Sequence, residues 1–118
     1  LGICIGMHVL FDYSEEDNTN CLGLIKGKIK KFKSDSQPVP QMGWNYVDGI
    51  DEFKAISNHY YFANSYYSSN TEECFGTSSY INKITSIVRK KNYIGCQFHP
   101  EKSSTAGELF LKYFINQI

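Results

Sequence analysis

Apolar residues follow a helical spacing near both ends of the chain. Residues 105–118 have apolar side chains at positions 106, 109, 110, 111, 113, 114, 115 and 118, which predicts an amphipathic helix. Residues 1–6 place apolar side chains between glycines and predict a strand followed by a tight turn. Apolar positions 7, 9, 10, 11 and 13 then predict a mostly buried helix over residues 7–13.

β-branched and aromatic residues dominate the middle of the chain and predict a series of strands. The predicted strands are residues 28–32, 42–47, 60–67 and 93–98, with polar connections at residues 12–20, 34–40 and 68–79. Residues 80–88 have isoleucine at positions 81, 84 and 87, so helix and strand compete, and the β-branched content favours a strand. Strands between flanking helices indicate an α/β domain with a mixed sheet.

Length and charge narrow the class of protein. The 118 residues are enough for one domain with its own core. Lys plus Arg and Asp plus Glu are 12 each, which argues against a nucleic-acid binder and against an anionic membrane surface as partner. No apolar run approaches the roughly 18 residues that a membrane-spanning helix requires, and no secretory signal pattern is present.

The cysteines are at positions 4, 21, 74 and 96, and no two of them form a C-x-x-C pair. We therefore expect free thiols in a reducing compartment, the cytoplasm. The first residue is leucine, and the residues that follow it already have the pattern of a buried strand. The expectation is that the chain is a piece of a longer protein.

A cysteine between two glycines is the first candidate for chemistry. Gly2-Ile3-Cys4-Ile5-Gly6 has the form of a nucleophile elbow with cysteine in place of serine. Such a turn lifts the sulfur to the top of the sheet, where the helix N-terminus favours the thiolate. The N–H of Ile5 is then aimed at the oxygen of a tetrahedral intermediate. A buried, inert cysteine is the alternative interpretation.

His99 and Glu101 are the groups that a cysteine nucleophile needs. Pro100 restricts His99 to an extended conformation. Because residues i and i+2 of an extended segment share a face, we expect the Glu101 carboxylate to reach the His99 ring. A general base with an orienting carboxylate is the arrangement that activates a thiol such as Cys4. A solvated His-Pro turn is the alternative interpretation.

The two motifs together resemble the class I glutamine amidotransferases, whose Cys–His–Glu triad lies in a G-x-C-x-G elbow and a late H-P-E segment. Further segments resemble the glutaminase subunits of imidazole glycerol phosphate synthase, namely Ser14–Glu16, Gly23–Gly27, Val39–Asn45, Tyr61–Tyr67, Gln97–Ser104 and Ala106–Gly107. The resemblance covers residues 1–118. It implies a flavodoxin-like α/β fold, here as a C-terminal fragment of one glutamine amidotransferase type 1 domain with a mixed sheet and flanking helices.

The resemblance implies hydrolysis of glutamine to glutamate, with the ammonia delivered to a partner subunit in a heterodimer. That partner is a synthase (cyclase) with a (β/α) barrel, which makes imidazole glycerol phosphate in histidine biosynthesis. No metal and no other cofactor is implied. By position, Cys4 is the nucleophile, His99 the general base and then acid, Glu101 its orienting group, and Ile5 an oxyanion donor.

Substrate and partner contacts are implied in the same way. Glu16 matches the carboxylate that meets the α-ammonium group of the substrate, and Ser65 and Tyr66 match the segment that binds its α-carboxylate. The residues that match the partner-facing surface are Trp44, Asn45 and Lys102. The alternative interpretation of Trp44 is a core aromatic residue, and that of Lys102 is a solvated charge.

Three features depart from the family pattern. Members normally have glutamine at the position of His8, one helical turn from Cys4, and its amide helps to hold the substrate. An amide can donate and accept hydrogen bonds at once, whereas an imidazole in that place does only one of the two. Members usually have histidine at the position of Asn64. The N-terminal half, with a glycine-rich loop and the second oxyanion donor, is absent, so these residues alone are expected to be inactive.

Three other functions stay open from the sequence. A paralogous glutaminase that supplies ammonia for amidation of a surface-polysaccharide sugar is mildly favoured by His8 and Asn64. A non-catalytic subunit that only binds the partner is opposed by the intact triad. A metal site formed by Cys4, His8 and His99 has no precedent in ligand spacing.

Overall fold

Residues 1–117 are described by the structure, a computed structural model, and they form ten strands and two α-helices. The strands are β1 (Gly2–Ile3), β2 (Tyr13–Ser14), β3 (Thr19–Asn20), β4 (Lys28–Lys31), β5 (Gln41–Gly49), β6 (Asn58–Asn64), β7 (Tyr66–Ser68), β8 (Cys74–Tyr80), β9 (Asn82–Lys90) and β10 (Tyr93–Cys96). The helices are α1 (Ile5–His8) and α2 (Ser104–Ile115), and 3-10 helices cover Glu16–Asn18, Asp51–Ile56 and Pro100–Lys102.

The sheet is mixed, as predicted. β1 runs parallel to β10, with Gly2 opposite Gly95, and β2 runs parallel to β4. The other pairs are antiparallel, among them β5 with β6, β5 with β8, β8 with β9, and β9 with β10. α1 packs against β1 and β10, and α2 packs against β6, so the α/β class with flanking helices is confirmed.

Two buried clusters form the core. Consecutive residues Ile87 and Val88 of β9 belong to different clusters, because neighbouring side chains of a strand point to opposite faces. The larger cluster receives Phe110 from α2, and the smaller one receives Met7 from α1. Among residues 1–117, no helix is both long enough and apolar enough to cross a membrane.

The helix predicted over residues 7–13 is wrong, because α1 ends at His8. Carbonyl groups that would continue the helix accept hydrogen bonds from a distant segment instead. Leu22 N–H donates to the Val9 carbonyl at 2.9 Å, and the N–H groups of Leu24 and Ile25 donate to the Leu10 carbonyl at 2.9 and 2.8 Å. Tertiary pairing therefore takes the acceptors on which a longer helix depends.

The polar segment at residues 68–79 was predicted as a connection, but its second half is strand β8. Ser78 is buried there, and Ser86 Oγ donates a 2.7 Å hydrogen bond to its hydroxyl across the β8–β9 pair. Because this bond satisfies both hydroxyls, polar residues are tolerated in a central strand. The strand favoured at residues 80–88 is confirmed as β9, with the turn before it at Ile81, whose φ is 62°.

Candidate active site

Cys4 lies at a sharp turn between β1 and α1, as its flanking glycines predict. Its backbone has φ 55° and ψ −108°, a costly conformation for a residue with a side chain, and its N–H donates to the Cys96 carbonyl at 2.8 Å. A Cβ at Gly2 would overlap the Gly6 carbonyl group, because the first turn of α1 lies directly over Gly2. A Cβ at Gly6 would meet open space, so only the first glycine is required by packing.

A pocket of about 310 Å³ opens beside Cys4. It is built from the α1 turn, the 3-10 helix that follows β2, and the junction between β6 and β7. Its lining residues are Cys4, Ile5, His8, Glu16, Pro40, Ala63, Asn64, Ser65 and Tyr66. The fold therefore brings to one pocket the residues implied as nucleophile, oxyanion donor and substrate contacts, which are far apart in the sequence.

The hydrogen-bond partners of the Cys4 sulfur are Gln97 and Ala63. Gln97 Nε2 donates to Sγ at 3.6 Å, and the carbonyl oxygen of Ala63 lies 3.9 Å from Sγ. Among residues 1–117 there is no hydrogen bond between Cys4 and His99. Both residues lie along β6, since His99 N–H donates to the Tyr61 carbonyl at 2.8 Å. Contacts of this kind often tighten only when substrate binds.

Burial raises the pKa of the Cys4 thiol above its usual value of 9.0, and the charges of Glu16 and Glu101 raise it further. Hydrogen bonds from the Ile5 N–H and from Gln97 lower it, but by less than burial raises it. The N–H of Ile5 at the start of α1 favours the thiolate, as the sequence predicts, but burial outweighs it. α1 has only 4 residues, so it offers little dipole to offset the burial of the sulfur.

His99 is held by both ends of its backbone. Its N–H donates to the Tyr61 carbonyl, and its own carbonyl accepts a 2.7 Å hydrogen bond from Ser103 Oγ. Ser103 Oγ in turn accepts a hydrogen bond from the Tyr61 N–H at 2.9 Å. Phe98, the residue before it, stacks on Tyr60 with ring centroids 4.0 Å apart. The His99 side chain therefore leaves a rigid segment.

The predicted contact between His99 and Glu101 is present, with Nδ1 of the ring 2.9 Å from Oε2 of the carboxylate. The extended backbone predicted for it is wrong beyond His99, because Pro100–Lys102 form a 3-10 helix whose Lys102 N–H donates to the His99 carbonyl at 3.0 Å. Burial works against ionisation of Glu101, but the hydrogen bond from His99 and the charges of His99 and Lys102 give it a lowered pKa. The carboxylate thus occupies Nδ1 and leaves Nε2 as the ring nitrogen available to a reacting group.

His8 is almost completely buried, with 4% of its surface exposed. Its Nε2 lies 2.7 Å from Gln97 Oε1, and its Nδ1 has no hydrogen-bond partner among residues 1–117. Burial lowers the pKa of His8, although the hydrogen bond to Gln97 opposes this. Within residues 1–117, no three His, Cys, Asp or Glu side chains lie close enough to hold a metal ion, so Cys4, His8 and His99 do not form such a group.

An exposed row of large side chains lies on the β5–β6 pair. Trp44 is 53% exposed, which excludes a core position, and it contacts Tyr61 edge-on at 6.2 Å between ring centroids. The next pair on the same face of the two strands is Tyr46 with His59. Met42, two positions before Trp44, lies at the other end of the row and is also exposed. We call these five residues the aromatic face.

The other two residues implied at the partner surface behave differently from Trp44. Asn45 turns away from the aromatic face, because its Nδ2 donates to Gln41 Oε1 and to the Ser79 carbonyl, each at 3.0 Å. Lys102 is exposed at the end of the 3-10 helix that follows His99. Trp44 and Lys102 are therefore free to contact a partner, whereas the side chain of Asn45 is already engaged.

Sequence reasoning missed Gln97 and Ser103, although both contact the candidate triad. Gln97 precedes His99 by two positions in an extended segment, so alternation alone would have placed both on the side of Cys4. No local pattern distinguishes Ser103, which acts through a hydrogen bond to Tyr61 across 42 residues.

Comparisons with known proteins bear on the family to which the chain belongs. The family model described as glutamine amidotransferase class-I matches residues 1–117. The chain is 39% identical to the imidazole glycerol phosphate synthase subunit HisH of Haemophilus influenzae, with 100% of the chain and 62% of that protein covered. It is 38% identical to subunit HisH 2 of Legionella pneumophila strain Paris, with 98% of the chain and 61% of that protein covered.

The fold is also found among solved structures. A crystal structure of glutamine amidotransferase matches 97% of this chain and 57% of its own, with a TM-score of 0.67 and 14% identity. The likeness at that identity concerns the fold alone. The chain spans about three fifths of the length of the curated relatives it matches.

Proposed function

The chain belongs to the class I glutamine amidotransferases, and from that premise we propose that it hydrolyses glutamine to glutamate and delivers the ammonia to a synthase subunit of histidine biosynthesis. The observation that carries the proposal is the pocket at the strained Cys4 turn, which Glu16, Ser65 and Tyr66 line together with Cys4. The names of the relatives, which are subunits of imidazole glycerol phosphate synthase, support the pathway.

Cys4 attacks the side-chain amide carbon of glutamine in the proposed mechanism. Because the raised pKa of Cys4 leaves a resting thiol, a base has to remove the proton during attack. His99 takes that proton on Nε2, since Nδ1 is held by Glu101, and gives it to the departing ammonia. Water then hydrolyses the thioester to glutamate, and the sulfur recovers its proton through His99.

The oxygen of the tetrahedral intermediate becomes negatively charged, so it requires donors. The N–H of Ile5 lowers the pKa of the Cys4 thiol, so this donor acts on the sulfur from the first residue of α1. It is therefore placed to meet an oxygen on the carbon that the sulfur attacks. A donor of this kind contributes about 10²–10³-fold to the rate.

The pocket suits a small zwitterionic amino acid. Glu16 is the carboxylate of the pocket and is assigned to the α-ammonium group, while Ser65 and Tyr66 are assigned to the α-carboxylate. Asn64 is held in the wall by bonds to Gln41 at 3.1 Å and to the Tyr66 carbonyl at 3.0 Å, which stiffens the segment that carries these residues.

The aromatic face, with Lys102, is the surface proposed for the (β/α) barrel synthase subunit. Continuity with the site supports this choice: Tyr61 contacts Trp44 on one side and bonds to the backbone of His99 on the other. A protein seated on Trp44 would thus press on the residue that positions the general base. Exposed tryptophan is a frequent anchor at such interfaces. A cytoplasmic location belongs to the same proposal.

Ammonia release from glutamine tests the proposal. Cys4→Ala in the full chain, with the synthase subunit bound, is expected to abolish release, because no thioester can form. Cys74→Ala is the matched control, since Cys74 lies outside the pocket and is expected to leave release unchanged. Turnover by the Cys4→Ala protein would refute the assignment of the nucleophile. Complementation of a histidine auxotroph that lacks this subunit tests the pathway, and failure there with intact ammonia release would favour a paralogous role.

A further inference from the structure

We propose that Gln97 donates a hydrogen bond to the Cys4 thiolate and that His8 is the positioning residue that keeps the Gln97 amide in that orientation. The proposal rests on the proposed role of Cys4 as nucleophile. It adds a side-chain donor on the sulfur, and it gives His8 a task inside the protein in addition to its place in the pocket wall.

Gln97 is a fully buried polar side chain between α1 and β9. It has 0% exposure, and its N–H donates to the Ser86 carbonyl at 2.9 Å. Its neighbours Cys96 and Phe98 both belong to the larger core cluster, so the Gln97 side chain faces the opposite side of the segment. α1 lies on that side, which brings Gln97 within reach of both Cys4 and His8.

The two ends of the Gln97 amide have different partners. Nε2 is 3.6 Å from Cys4 Sγ, and Oε1 is 2.7 Å from His8 Nε2. The carbonyl end only accepts and the NH₂ end only donates, so this arrangement requires a proton on His8 Nε2. If the ring proton were on Nδ1, the amide would turn over and point its carbonyl at the sulfur. That carbonyl accepts from a thiol but repels a thiolate.

The burial of His8 selects between these two arrangements. Nδ1 has no partner among residues 1–117, so a proton there would be a buried N–H donor without an acceptor. Buried donors without partners are rarer in proteins than incompletely satisfied acceptors. The ring therefore carries its proton on Nε2, and the NH₂ group of Gln97 is directed at Cys4.

A donor on the sulfur matters because the other charges around it oppose ionisation. Two titratable groups act on Cys4. They are Glu16, from the 3-10 helix after β2, and Glu101, from the 3-10 helix after His99. Both are carboxylates and disfavour a thiolate. The Ile5 N–H and the Gln97 NH₂ are the two groups that favour it, and only the second depends on how a side chain is oriented.

The test measures the rate at which iodoacetamide alkylates Cys4 as a function of pH, in the full chain without glutamine or partner, with peptide mass spectrometry to separate Cys4 from the other cysteines. Gln97→Leu is expected to lower the thiolate fraction at fixed pH about tenfold, since a hydrogen bond to a charged group is lost. His8→Leu is expected to change it in the same direction by about threefold, because the amide is then free to turn over.

A double variant and a conservative variant separate positioning from general packing. His8→Leu is expected to have no further effect in the Gln97→Leu background, because its influence passes through that amide. His8→Gln is expected to restore the alkylation profile, since a terminal NH₂ can replace the Nε2–H donor. An equal effect of His8→Leu in both backgrounds, or an unchanged profile in Gln97→Leu, would overturn the proposal.

Nuclear magnetic resonance on the unaltered protein covers the case in which the leucine variants do not fold. The ¹⁵N shifts of the His8 ring, assigned by their loss in His8→Gln, are expected to report a neutral ring with its proton on Nε2. A neutral ring with its proton on Nδ1 would contradict the proposal. Neither readout depends on glutamine turnover, so failure here is distinct from ammonia release by Cys4→Ala, which would refute the nucleophile itself.

Discussion

The pocket around Cys4 and the aromatic face are built in opposite ways, although both use β6. In the pocket, polar side chains are buried and held: His8 bonds to Gln97, and Asn64 bonds to Gln41. On the aromatic face, Trp44 is more than half exposed and contacts Tyr61 edge-on. Rigid polar contacts suit chemistry, because reacting groups need fixed positions, whereas exposed rings suit recognition, because they lose water when a partner binds.

Strand β6 connects the two regions. The side chains of Tyr60 and Phe62 are buried in the core, and the side chain of Tyr61 points the other way and contacts Trp44. The backbone carbonyl of Ala63 faces the Cys4 sulfur. The two regions should therefore respond separately to most substitutions and together to changes in β6.

Loss of the orienting carboxylate should damage the pocket without destroying it. Glu101→Ala is expected to lower glutamine turnover by about 10²-fold, less than the complete loss in Cys4→Ala, because His99 remains bound through its backbone. Steady-state kinetics with the partner present measures the difference. Equal losses in the two variants would mean that Glu101 does more than orient the ring.

The same carboxylate predicts how stability depends on pH. The pKa of Glu101 is lowered in the folded protein from its usual 4.5, so its contribution is fully present above that value and is lost as the pH falls through the lowered pKa. Glu101→Gln should therefore melt at a lower temperature than the unaltered protein at neutral pH, and the gap should close in acid. A gap that widens in acid would contradict the sign.

The turn at Cys4 should be far more sensitive at one glycine than at the other. Gly2→Ala is expected to destabilise the protein by about 3 kcal/mol, because the new methyl group meets the backbone of Gly6. Gly6→Ala is the matched control and is expected to be neutral or stabilising by up to about 1 kcal/mol, since it adds a better helix former in open space. Urea denaturation of both variants measures this difference, and similar losses would mean that the turn is described wrongly.

The aromatic face should be separable from the thiol. Trp44→Ala is expected to weaken binding of the synthase subunit about 30-fold, the equivalent of about 2 kcal/mol, and to reduce partner-stimulated ammonia release. Lys102→Ala should have a smaller effect of the same kind, since an exposed charge contributes about 1 kcal/mol or less. Alkylation of Cys4 in the absence of the partner should change in neither variant.

Tyr93→Ala is the matched control for this surface, because Tyr93 is also an exposed aromatic residue but lies on β10, outside the aromatic face. Binding is measured by calorimetry for all three variants. If Trp44→Ala binds as tightly as Tyr93→Ala, the proposed interface is wrong.

The smallest effect is expected where a family amide is replaced. His8→Gln should lower the KM for glutamine by up to about tenfold or leave it unchanged, because glutamine keeps a donor towards Gln97 and adds an acceptor. Steady-state kinetics over a range of glutamine concentrations decides between these outcomes. Abolished activity in this variant would mean that the imidazole itself takes part in the reaction.

Local patterns were enough for the parts of the site that depend on a few neighbouring residues. Cys4 between glycines predicted a strand, a turn and a helix, because the first turn of a helix can lie over Gly2 only when that residue has no Cβ. The contact between His99 and Glu101 was predicted for a different backbone: His99 is extended, but the 3-10 helix Pro100–Lys102 carries Glu101 back to the ring, and no extended segment brings the two side chains to one face. The length of α1 could not be predicted, since residues 22–25 compete for its carbonyl groups.

The amino-acid sequence was enough to predict the α/β class, most of the strands, the turn at Cys4 and the proximity of Glu101 to His99, because periodicity and backbone sterics act over a few residues. Which atoms surround the sulfur depends on the tertiary structure. Gln97 contacts Cys4 across 93 residues and His8 across 89, contacts that arise because β10 pairs with β1 and brings α1 over its end. The protonation of Cys4 depends on burial, on hydrogen bonds from Ile5 and Gln97 and on the charges of Glu16 and Glu101, and no local pattern specifies their sum.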